Sequence, residues 1–325
     1  QTEAVASAAS QDGAISDDTC VANFARPDIS LRYEHDRAMD AIANAQDARD
    51  RIVANALGGA AEAFPSKWYA AKPLPFRFAS WVGYDMDGRT DIKWFDSIGF
   101  RLSEKAQRLE RYVASLEAID EAHPLLETLR NALGYSQDRA AEFREDLSEP
   151  EALSKAANTL TEDHPYKMLS LAPVIELLEA EAVGVETERA IGLKTLAAAM
   201  RADGLGMGWI HFRVNSSQLH NAIRRRIDPD NTLDLGSKGA MATLRELLEK
   251  VKPLRSNFAA LAIESSTAIR QFLAMAQIIQ HVDGDAPIRM LIAECEQPST
   301  ILAALYFSKL FGIEDKVDVS PLFET

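Results

Sequence analysis

The periodicity of the sequence changes near Ala202, and that change constrains the fold more than any other feature of the chain. Met207, Trp209, His211 and Arg213 alternate with Gly208, Ile210, Phe212 and Val214, the two-residue period of a strand. Ser216 or Ser217 can then cap a helix running through Ile227, and Asp228-Pro229-Asp230-Asn231 reads as a turn. Helices are predicted over Met241–Val251 and Leu254–His281, a second strand over Ile288–Glu294, a helix over Ser299–Phe311 and a third strand over Val317–Ser320. Strand, helix, strand, helix, strand is the order of parallel βαβ units, whose crossovers are right-handed.

The residues before Ala202 read differently. A helix is predicted from Asp28 to Leu57, weakened at Gly58-Gly59. Phe64 to Arg89, with Pro65, Pro73 and Pro75, is expected to be an ordered loop region. After Trp94 the helical period returns: Ile98, Leu102, Ala106, Leu109, Val113 and Leu116 are three or four apart. Further helices are predicted over Pro124–Glu145, Glu149–Leu160, Tyr166–Ala182 and Glu186–Arg201. With only 16 Gly and 13 Pro in 325 residues, long helices are favoured over many short strands and turns. The expected fold is mostly α with α/β, an incomplete (β/α) TIM-type barrel surrounded by many helices. Its expected parts are a lead-in over 1–20, a helical N-terminal region over 21–203 and a β/α barrel portion over 204–325.

Charge and cysteine content narrow the function classes. A formal net charge of −14 argues against a nucleic-acid coat or an anionic membrane surface as the main partner, leaving room for a local basic pocket. Nowhere do the ~18 consecutive apolar residues of a membrane span occur. Cys20 and Cys295 cannot make a disulfide framework or a multi-cysteine zinc site, and read as reduced thiols of a cytosolic protein. Gln1 to Thr19 is Ala/Ser-rich and acidic, without Lys, Arg or an apolar core. It fails as a secretory signal and reads as a disordered or weakly ordered lead-in. A chain beginning with Gln rather than Met fits a processed or excised piece.

Ligands of parallel β/α folds bind at the C-terminal ends of the strands. Arg213 ends the first predicted strand and Glu324 follows the third by a few residues. A guanidinium suits a phosphate or carboxylate, and a glutamate suits Mg2+ or Mn2+; on spacing alone, a surface arginine and a surface glutamate fit better. Other motifs fail. Asp85-Met86-Asp87-Gly88 has its glycine misplaced for a calcium loop, and Gly204, Gly206 and Gly208 precede a strand where a dinucleotide fingerprint follows one. Arg224-Arg225-Arg226 reads as a solvated helix end. The six histidines show no HExxH spacing, although His211 shares a strand face with Arg213. Neither Ser nor Cys sits in a nucleophile elbow.

Three segments together carry a family resemblance. Leu74-Pro75-Phe76-Arg77-Phe78-Ala79-Ser80-Trp81-Val82-Gly83-Tyr84-Asp85-Met86-Asp87-Gly88 is similar to the stretch around S-W-x-G-G-D-R-D-G-N-P of phosphoenolpyruvate carboxylases. Gly204 to Ser217 resembles that family's strand ending in D-I-R-Q-E-S, with Arg213 at its arginine. Ile288 to Thr325 resembles its strand, Ser-containing helix start, apolar helix and P-L-F-E-T; Pro321-Leu322-Phe323-Glu324-Thr325 matches that pentapeptide in full. Order and spacing agree over about Pro65–Thr325, so the chain resembles a divergent bacterial-type phosphoenolpyruvate carboxylase. The resemblance implies that Glu324 is a ligand of a catalytic Mg2+ or Mn2+. It implies that Arg213 holds the phosphate of phosphoenolpyruvate, and that Trp81 and Leu322 line the apolar pocket beside its methylene carbon. It further implies bicarbonate as second substrate, oxaloacetate and phosphate as products, and a homotetramer for the full enzyme; the charge and cysteine content argue for a cytoplasmic protein with no nucleic-acid or membrane partner.

The departures from the family pattern matter as well. Tyr84, Met86, Arg89 and Thr90 stand where the family has Gly, Arg, Asn and Pro. The T-A-H-P-T histidine motif is absent, since His123-Pro124 and His164-Pro165 lack the Thr and lie too late. The family's second metal carboxylate, catalytic lysine and H-G-R-G-G loop would follow Thr325. The expectation is therefore a carboxylase parent whose 325-residue piece is inactive alone, with no catalytic residue of its own. The alternative is a non-catalytic helical interaction protein on a carboxylase-like scaffold.

Overall fold

The computed structural model describes residues 29–87, 89, 91–286 and 288–323. The predicted lead-in, Cys20 and Glu324 lie outside the described residues. Helix α1 (Leu31–Ala63) opens at Ser30, whose hydroxyl accepts the Tyr33 N–H at 3.1 Å. Its buried side chains, from Met39 through Ala43, Gln46, Arg49, Val53 and Leu57 to Ala61, are three or four residues apart. That stripe runs past Gly58-Gly59, so packing outweighs the weak helix propensity of the glycine pair and the helix goes on to Ala63. Helices α2 (Trp94–Ile119), α3 (Leu125–Glu142), α4 (Pro150–Thr161), α5 (Ala172–Glu181) and α6 (Thr187–Asp203) follow. The helix predicted from Tyr166 starts only at Ala172, with a proline in its first turn.

The second half holds β2 (Trp209–Asn215), α7 (Ser216–Ile227), α8 (Lys238–Lys250), α9 (Phe258–Ile263), α10 (Thr267–His281), β3 (Ile288–Ala293), α11 (Pro298–Leu310) and β4 (Val317–Pro321). Two expectations need correction. The helix predicted over Leu254–His281 is broken between Ile263 and Thr267, where Ser266 caps a new start. The stretch expected to be loop contains a 3-10 turn (Trp68–Ala70) and a fourth strand, β1 (Ala79–Ser80). A two-residue strand is too short to show alternation, and pairing with β2 is what makes it one.

All four strands are parallel, in the spatial order β1-β2-β3-β4. Ser80 stands beside Ile210, and Arg213, Leu291 and Ser320 form one row across three strands. Ile210, Phe212, Val214, Met290, Ile292 and Val317 are buried on the face covered by α7, α10 and α11. Trp209, His211, Arg213, Asn215, Arg289, Leu291 and Ser320 alternate with them and are only partly covered. A parallel sheet is ordinarily covered on both sides, so this second face is unusual. The main core takes residues from both sides of position 204, joining Tyr84, Ile98, Phe143 and Leu160 to Phe212, Phe272, Met290 and Phe307. A second cluster, including Leu57, Leu109, Leu129 and Leu193, lies among the early helices. The chain is thus mostly helical around a small parallel sheet.

Candidate functional site at the strand ends

The C-terminal ends of the strands gather the chemistry-bearing residues. Trp81 directly follows β1, Arg213 and Asn215 close β2, Glu294 follows β3, and Leu322 follows β4. The segment after β1 is folded back tightly: the Trp81 carbonyl accepts the N–H groups of Tyr84 and Asp85 at 2.9 and 3.0 Å. Gly83 has φ 87°, and a Cβ there would run into the Phe100 ring, so both backbone and space call for glycine. Its carbonyl accepts the Ser97 hydroxyl at 2.6 Å. Beyond the turn, Asp85 pairs through its backbone with Arg213, and its Oδ1 accepts the Asp87 N–H at 3.0 Å.

A buried polar network bolts this loop to the helices. The Tyr84 ring is 1% exposed and its hydroxyl donates to Glu104 Oε1 at 2.8 Å. Glu104 also meets Arg101 Nη1 at 2.9 Å and His35 Nε2 at 3.1 Å. Arg101 reaches Asp283 at 2.6 Å and the Gly208 carbonyl, just before β2, at 3.2 Å. Burial by itself raises the Glu104 pKa, but the hydrogen bond from His35 and the Arg101 charge outweigh it, and the group ends below its ordinary range. The bulk that Tyr84 adds is therefore taken up as a buried hydrogen-bonded strut rather than projected into the strand ends.

Arg213 is held from three sides. Its Nε lies 3.5 Å from Asp87 Oδ2, its carbonyl accepts Gln271 Nε2 of α10 at 2.9 Å, and its backbone bridges to Asp85. The side chain remains about one-third exposed, at 34%. Next to it, Asn215 Nδ2 donates to Glu294 Oε2 at 3.0 Å, and Glu294 itself has φ 53°. Trp81 is 57% exposed. Leu322 is half-buried and extends the ladder of β3: its N–H donates to Ile292 O at 2.9 Å, and its carbonyl accepts the Cys295 N–H at 3.1 Å.

Three of the four residues singled out from the sequence, Arg213, Trp81 and Leu322, thus stand at one edge of one sheet, and Glu324 lies outside the described residues. His211 does not join them. It lines a groove of about 590 Å3 toward the start of the strands, with Phe76, Phe78, Trp209 and Arg289. Burial, then the Arg289 charge, lowers its pKa. Asp87 is the residue that sequence reading passed over. Its D-x-D spacing with Asp85 resembles a fragment of a calcium loop with the glycine misplaced, and nothing local in the sequence shows that it faces Arg213. Among the described residues, no three His, Cys, Asp or Glu side chains come together to hold a metal ion. The described donor set does not by itself fit a divalent cation.

Fold and site define a mostly helical α/β protein whose partly open parallel sheet carries charged side chains at its C-terminal edge. The family model described as phosphoenolpyruvate carboxylase matches residues 100–325, and the chain belongs to that family. Arg213, Leu322 and Glu324 fall inside the matched span and Trp81 precedes it. A search of curated proteins returns no match. Among the described residues, no helix is long and apolar enough to cross a membrane.

Proposed function

We propose that this chain forms one side of the active site of a phosphoenolpyruvate carboxylase, which converts phosphoenolpyruvate and bicarbonate to oxaloacetate and phosphate. In this reading the partly covered sheet face is the inner wall of a (β/α) barrel, and residues 204–325 are its barrel portion against a helical region over 21–203. Arg213 holds the phosphate, because a guanidinium fixed by flanking contacts can stabilise negative charge without reorganising. Trp81 and Leu322 wall the methylene carbon and keep water from protonating the enolate before carbon dioxide reaches it. Glu324, outside the described residues, would be one carboxylate ligand of a Mg2+ or Mn2+ ion, which would supply charge stabilisation when bound. The working protein is a cytoplasmic homo-oligomer, a tetramer in this reading.

The observation that carries this reading is the position of Arg213: on the partly open face, near the C-terminal end of a parallel strand flanked by β1 and β3. The purified 325-residue chain, free of host enzyme, is expected to fix no labelled bicarbonate with phosphoenolpyruvate. In the parent polypeptide, Arg213→Gln is expected to lower kcat/KM for phosphoenolpyruvate by about a hundredfold or more, the scale on which one charge-stabilising donor acts. Turnover by the isolated chain, or a parent without the activity, would overturn the reading. A second reading, a non-catalytic interaction protein on this scaffold, is favoured by one observation. Met86, buried where the family carries an arginine, supplies no cation to the strand ends.

A further inference from the structure

Asp87 stands at the strand ends with no part in the reading above. Its side chain is 20% exposed, and its Oδ2 lies 3.5 Å from the Nε of Arg213. It is not the only acid there. Asp85 is bridged to the backbone of Arg213, and Glu294 reaches across from β3 to the side chain of Asn215, two residues beyond Arg213 on β2. Burial raises the Asp87 pKa; Arg213 pulls it down, and the charges of Asp85 and Glu294 push it up again, so all three groups act on this one carboxyl. Among the described residues, the carboxylates Asp85, Asp87 and Glu294 therefore surround the Arg213 guanidinium where a phosphate is to bind. Gln271 of α10, which donates to the Arg213 carbonyl, and Asn215, which donates to Glu294, are uncharged and do not redress the balance.

We propose that Asp87 is a built-in counter-ion of Arg213: it holds the guanidinium in the ligand-free chain and competes with a phosphate group for it, so that Asp87 sets the affinity for phosphorylated anions. The inference rests on reading Arg213 as the phosphate-binding arginine. A carboxylate that merely shaped the loop would have the opposite signature, since its loss would disorder Arg213 and weaken binding. A competing counter-ion, once neutralised, lets the anion bind more tightly. Asp87→Asn separates the two, because Asn keeps the side-chain shape and leaves the backbone bond from residue 87 to Asp85 Oδ1 available.

The test is a titration of the 325-residue chain with inorganic phosphate at constant ionic strength, followed by backbone amide NMR shifts, which also report that each variant is folded. Asp87→Asn is expected to bind phosphate about tenfold more tightly than the parent chain, and Arg213→Gln to abolish binding in both backgrounds. Unchanged or weaker binding by folded Asp87→Asn, with binding still lost in Arg213→Gln, overturns the counter-ion role and leaves the phosphate role of Arg213 standing. Phosphate binding that Arg213→Gln does not alter, or no binding by any of the chains, overturns both.

Discussion

Gly206 shows what one residue type does when a neighbour cannot move. In the sequence it looked like one member of a failed dinucleotide loop. In the structure a Cβ at this position would overlap the guanidinium of Arg101. That guanidinium is fully buried and pinned by Glu104 at 2.9 Å and Asp283 at 2.6 Å, so it has nowhere to go. Gly206→Ala is expected to destabilise the chain by about 3 kcal/mol, at the upper end of overpacking costs, as a fall in the urea midpoint without a change in slope. The same scale explains Tyr84. Its size was legible as a departure from a bare turn, but its hydrogen bond to Glu104 needed a partner 20 residues away to be folded beneath it.

At the scale of elements, caps decide where helices begin, and periodicity alone locates them less well. Helix α8 starts at Lys238 rather than Met241 because the Ser237 hydroxyl accepts the Ala240 N–H at 3.1 Å. Ser237→Ala is expected to cost about 1 kcal/mol, measurable by chemical denaturation, while Ser237→Asp, another good cap, retains most of that stability. The same kind of residue, Ser266, starts α10 and splits what apolar spacing suggested was one helix. Strand β1 is the reverse case. Nothing in Ala79-Ser80 marks it as a strand, and it becomes one only because the Phe78 carbonyl accepts the Trp209 N–H at 2.9 Å and the pair continues to Ser80 and Ile210.

The whole molecule carries a pH dependence that no single element predicts. His281, at the end of α10, lies tilted against the Phe258 ring, 6.2 Å between centroids, with its Nδ1 3.4 Å from Lys167 Nζ. Burial, then the Lys167 charge, pulls its pKa from an ordinary 6.5 down to about 4. The folded imidazole therefore stays neutral where the unfolded one takes up a proton, and the contribution to stability, complete above about 6.5, is lost as the pH falls toward about 4. His281→Asn is expected to flatten this part of the stability profile, read as urea midpoints from neutral to mildly acid solution. Equal slopes for the two proteins would remove His281 as the cause.

The sequence by itself determined the helix-rich first part, the parallel order of three strands and an arginine at the C-terminal end of one of them. These follow from the side-chain periods of helix and strand and from residues close together along the chain. The tertiary structure alone decided that β1 joins the sheet, that Tyr84 rests on Glu104, and that Asp87 faces Arg213. Arg101 and Asp283, 182 positions apart, meet only because the buried stripes of α2 and α10 pack together. Local sequence fixes which face of an element is apolar; which charges then become neighbours depends on how those faces meet in three dimensions.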